Sequence, residues 1–135
     1  MQPVAIHTLP FIVAVLIKFF VGWLWYSPML FLKQWQAVSG VTNEQMQGGM
    51  AKGIAIWLLG SVLMAFILAH AVAYAGATTF VQGAEVGFAN WVGFILVVAL
   101  DTYAAEKKPI QWVAIGTGAN LIALILMGGV LAAWQ

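Results

Sequence analysis

Residues Gly53–Ala75 read GIAIWLLGSVLMAFILAHAVAYA, 23 residues without one Asp, Glu, Lys or Arg. A helix needs about 20 such residues to cross the hydrocarbon of a bilayer. Comparable runs occupy Leu9–Leu32, Val86–Ala105 and Ile110–Trp134. Lipid offers the backbone no hydrogen-bond partner, so an open chain crosses it as helices. The expected fold is all-α, a four-helix transmembrane bundle forming one membrane domain over residues 1–135.

Composition agrees. The chain is 64% hydrophobic and 7% charged, with a mean hydropathy of +0.99. Soluble domains carry about 25% charged residues. An ordinary soluble domain, a disordered chain and a nucleic-acid binder are excluded, and a net charge of +1 leaves no footprint for an acidic partner. The absence of cysteine excludes disulfides, thiolate metal sites and a Cys nucleophile. All five basic residues are lysines, so no guanidinium fork for phosphate exists. No Lys or Arg precedes the first apolar run, which argues for mature structure over residues 1–32 and against a signal peptide.

Lys33 and Lys52 flank the first link, and Lys107 and Lys108 sit in the third. The second link and both termini have none. The positive-inside rule puts links one and three in the cytoplasm of a multi-pass cell-membrane protein, with both termini outside. Within link one, Thr42 and Gln45 have capping-box spacing, which suits a short interfacial helix leading into span two, with an irregular loop as the alternative.

The first span closes on Gly22-Trp23-Leu24-Trp25-Tyr26-Ser27-Pro28-Met29-Leu30-Phe31-Leu32-Lys33-Gln34-Trp35. Pro28 removes a donor and clashes with the turn before it, so the helix is expected to end or bend there, with Phe31–Trp35 along the interface. The aromatics suit an interfacial belt. They also suit a ligand platform beside opened backbone. The block Gly22, Trp25-Tyr26-Ser27-Pro28, Leu30-Phe31, Lys33, Trp35 resembles the hallmark of the domain of unknown function 1761 family, small bacterial four-span membrane proteins. His70, Trp91-Val92-Gly93-Phe94, Asn120 and Met127-Gly128 extend the resemblance over nearly the whole chain. It implies the fold and no activity.

Polar groups inside spans are costly and count as functional hypotheses. Lys18 shares a stripe with Gly22, Trp25 and Met29. It either snorkels to water or faces protein, where Asn120 or a backbone carbonyl, then Asp101, then a neighbouring subunit would be its partner. In span three, Gly83, Gly87, Asn90, Phe94, Val97 and Asp101 fall on one face of a regular helix. Gly60, Leu63, Ile67, His70 and Tyr74 do so in span two, and Gly116, Asn120, Ala123 and Met127 in span four. These faces are expected to turn inward, with the polar groups as glue between helices.

Catalytic signatures are missing. No nucleophile elbow, phosphate loop or paired carboxylate motif occurs, and Gly116–Gly118 inside an apolar helix reads as packing. His7, His70 and Glu85 lack metal-ligand spacing. No catalytic residue, metal or cofactor is therefore expected. Two readings remain. One is non-enzymatic binding or transport of a small or lipid-like molecule, with Trp25, Tyr26, His70, Tyr74, Asn90 and Asn120 as the ligand-binding candidates. The other is a structural or accessory subunit without a ligand. Membrane lipid and further copies of the chain, as a homo-oligomer, are the expected partners.

Overall fold

A computed structural model describes residues 2–135. The elements are α1 (Thr8–Trp25), α2 (Leu32–Ser39), α3 (Asn43–Gly48), α4 (Met50–Tyr74), α5 (Phe80–Asn90), a π-helical segment (Trp91–Leu96), α6 (Val97–Glu106) and α7 (Ile110–Ala133). The helical stretch Phe80–Glu106 is span three. With α1, α4 and α7 it makes four helices long and apolar enough to cross a membrane.

Span one stops at Trp25, seven residues before Leu32. Pro28 cannot donate, and the chain turns over residues 26–31. Ser27 Oγ donates to Leu24 O at 2.6 Å, and Phe31 N reaches back to Trp25 O at 3.0 Å. The chain then enters α2, which carries Trp35. The box expected at Thr42 is present: Gln45 N donates to Thr42 Oγ1 at 3.1 Å and Thr42 N to Gln45 Oε1 at 3.0 Å. A second box, Thr79 with Gln82, starts span three at Phe80, six residues before Val86. It has the same Thr-x-x-Gln spacing, so the signal was in the sequence.

The helix α7 is the central one. Half of its apolar window is buried, against 11% for span three. It packs on α1, α4 and α5, and α1 also packs on α4. The closest approach joins α5 to α7. A Cβ at Gly83 would collide with the Gly128 carbonyl, and one at Gly87 with the Leu124 carbonyl. Backbones this close need small residues, the packing that lipid favours because burying large side chains gains little there. The core is small for the same reason, built on Ala14, Ala65, Ala123 and Met127, each at most 1% exposed.

The inward face of span two is a correction. Gly60, Leu63, Ile67 and Tyr74 are exposed, and only His70 of the expected set is buried. Ser61, Ala65, Leu68 and Val72 turn inward instead. Small side chains there let α4 approach its neighbours, while the large ones meet lipid at no cost.

Span three is corrected more deeply. Gly83 and Gly87 face α7 as expected and Asn90 is half-buried, but Phe94, Val97 and Asp101 are exposed. The π-helical segment is the cause, since a wider turn takes an extra residue and rotates everything after it. From the segment onward the half-buried, inward positions become Trp91, Ile95, Ala99 and Thr102. In span four, Ala123 and Met127 are buried and Gly116 and Asn120 half-buried, as the spacing implied.

Candidate functional site

The polar side chains inside the spans mostly bond to their own helix. Asn90 Nδ2 donates to Val86 O at 2.8 Å, Ser61 Oγ to Trp57 O at 2.8 Å and Thr117 Oγ1 to Val113 O at 2.7 Å. Asn90 is thus not the expected interhelical glue. That work falls to two indoles. Trp25 Nε1 donates to Ile115 O and Trp91 Nε1 to Thr117 O, both at 2.9 Å. The Trp25 ring also lies on Gly118, where a Cβ would come within 2.5 Å of it. The Gly116-Thr117-Gly118 segment is therefore a packing site for tryptophans.

Lys18 corrects a further expectation. Its ammonium lies 4.7 Å from the centre of the Trp57 ring, a cation–π contact, and neither Asn120 nor Asp101 is its partner. Gly22, one turn on, leaves the space that the Trp57 ring fills. The Trp57 N–H is the one buried side-chain polar atom without a hydrogen bond among the described residues. Tyr26 meets Trp57 edge-on at 5.8 Å and Trp35 at 5.4 Å. Asp101 is exposed on α6, and the one ion pair among the described residues joins Lys108 to Glu106 at 3.9 Å.

Two adjoining concavities follow from this packing. A groove of about 540 Å³ lies between α4 and span three, walled by Gly60, Leu63, Met64 and Ile67 on one side and Asn90, Phe94 and Ile95 on the other. Leu124 of α7 and Leu68 complete it. Toward the α1–α2 turn lies a second cavity of about 350 Å³, lined by Tyr26, Trp35, Trp112, Thr102 and again Phe94 and Ile95. Phe94 and Ile95 line both, so the two adjoin as a tract along span three. No side chain lining either is charged.

The sequence candidates do not all meet. Tyr26 and Asn90 line the tract. Trp25 is committed to α7, and Asn120 lies half-buried on α7 outside both linings. His70 and Tyr74 sit at the opposite end of the bundle, where His70 Nδ1 donates to Phe66 O at 2.8 Å and Tyr74 O–H to Gln2 O at 2.7 Å. A third cavity of about 400 Å³ lies at that end, between His7 and Trp134. No group of three His, Asp or Glu is close enough to hold a metal among the described residues. Sequence reasoning missed Phe94, Thr102 and Trp112 as neighbours of Tyr26, because their meeting depends on the π turn. Trp35 stood in the quoted motif and was the readable part.

A transmembrane four-helix bundle with an uncharged groove along one span is the class these features define. The chain belongs to the family described as protein of unknown function (DUF1761), whose model matches residues 9–132. No curated protein and no solved structure matches it.

Proposed function

We propose that this protein binds a lipid-like molecule in the tract along span three, without catalysing its chemistry. The apolar groove adjoins the aromatic cavity at Phe94 and Ile95, which line both, and this adjacency carries the reading. Ligand sites are concave, mostly apolar and carry a few polar groups that orient the guest. Here those groups are Asn90 on one side and Tyr26 and Thr102 on the other. No carboxylate, histidine, lysine or cysteine lines the tract, and Tyr26 is its one titratable side chain.

Native mass spectrometry in mild detergent tests this and reads subunit number in the same spectrum. The wild type should retain a lipid-sized adduct. Gly60 faces open space, so Gly60→Phe can fill the groove without a clash and should lose the adduct. Equal retention by both proteins would refute the site. The lysine bias puts the aromatic cavity at the cytoplasmic face. Cysteines replacing Gly48 and Lys107 should then be labelled only from that side.

A further inference from the structure

Resting on that reading, we infer that the guest is a neutral lipid with a flat, carbonyl-bearing ring as its head, a prenylated quinone being the chemical type. The aromatic cavity decides the head. Tyr26, Trp35, Trp112 and Phe94 supply flat walls, which favour a planar guest by offset or edge-to-face contact. Three of these side chains carry a neutral N–H or O–H donor. None of the three donates a hydrogen bond to a side chain or backbone group among the described residues. Carbonyl oxygens on a ring would accept from such donors. The hydroxyls of Thr102 and Thr117 already donate to Val98 O and Val113 O, which leaves them as acceptors.

Charge excludes the common alternative. A phosphate head needs a cation or several convergent backbone donors when it leaves water. No lysine lines the cavity, and Lys18 lies instead over Trp57. The groove decides the tail. From Asn90 to Thr102 the tract spans about 18 Å at helical rise, enough for a ring and roughly two prenyl units, with any further length in lipid. The groove side offers one amide and otherwise apolar surface.

The test uses the purified full chain in mild detergent, titrated with a short-chain prenylated benzoquinone, a free prenol of equal tail length and a phosphatidylglycerol. Bound mass is read by native mass spectrometry and occupancy by quenching of tryptophan emission. The quinone should bind in preference to both others. Trp112→Phe keeps the ring but removes a donor, and should weaken quinone about fivefold, as one lost hydrogen bond does, without changing prenol. Tyr26→Phe is the second variant should Trp112→Phe fail to fold, with the same expectation. Gly60→Phe should weaken quinone and prenol alike by at least tenfold. Preference for phosphatidylglycerol, or equal binding of prenol and quinone, would overturn the head assignment and leave the lipid site standing. Binding of none of the three would remove both.

Discussion

On one side of the π-helical segment, α5 lies against α7 with backbone touching backbone at Gly83 and Gly87. On the other side, α6 buries none of its residues and leaves a cavity where the first half has contact. Both halves belong to one apolar span, and both follow a helical period. The difference lies in one wide turn. It costs some helix regularity and separates a packed half from an open half. π-Bulges concentrate at functional sites, and here the segment supplies Phe94 and Ile95, which line both the groove and the aromatic cavity.

The sharpest way to break the contrast is to put a side chain into α5 and another into the π segment where the close packing ends. Gly87→Leu drives a branched group into the Leu124 backbone and should cost about 3 kcal/mol or more, read as lost thermal stability in detergent. Gly93→Ala, in the π segment, meets nothing within 4 Å and should be neutral or gain about 0.5–1 kcal/mol. Equal losses at the two sites would mean that the π segment packs as closely as α5.

Shifting the register at the wide turn is the next test. Inserting one alanine after Leu96 should rotate α6 by about 100°. Asp101 would then take the inward place of Thr102, at a cost of about 2–3 kcal/mol, read as lost thermal stability in detergent. Deleting Gly93 instead removes the extra residue of the wide turn, so Thr102 should stay inward and Asp101 outward, with the smaller loss of the two. Equal losses for the two variants would show that the π turn does not set the register of α6.

Two smaller effects sharpen the comparison. Trp25→Phe and Trp91→Phe each remove one interhelical donor to α7 and should cost about 1 kcal/mol, measured by unfolding in mixed micelles. Lys18→Met should move stability by less than about 1 kcal/mol, because the lost cation–π contact is modest and no acceptor on another helix is left unpaired. A larger loss would mean that Lys18 anchors a buried network after all.

Part of this molecule is legible without coordinates. Runs of apolar residues such as Gly53–Ala75 determine four helical spans, because lipid leaves the backbone no alternative. Pro28 determines where span one ends, through its missing donor and its clash with the preceding turn. Thr42 with Gln45 determines a helix start, and the Thr79–Gln82 spacing carries the same information for span three. These are local effects of a few residues on their own backbone.

Tertiary structure decided which face of each span is inward, and with it the candidate site. In water the hydrophobic period separates inside from outside, but in a bilayer Leu63 or Phe94 is as well placed against lipid as against protein. The choice passes to how closely helices can approach, hence to Ser61, Ala65, Gly83 and Gly87 and the surfaces opposite them. The same limit hid the tract. Tyr26, Phe94, Thr102 and Trp112 come to line one cavity only when a turn at Ser27–Pro28 and a register shift at Trp91–Leu96 act together. Each depends on contacts between residues far apart in the chain, which no window of sequence contains.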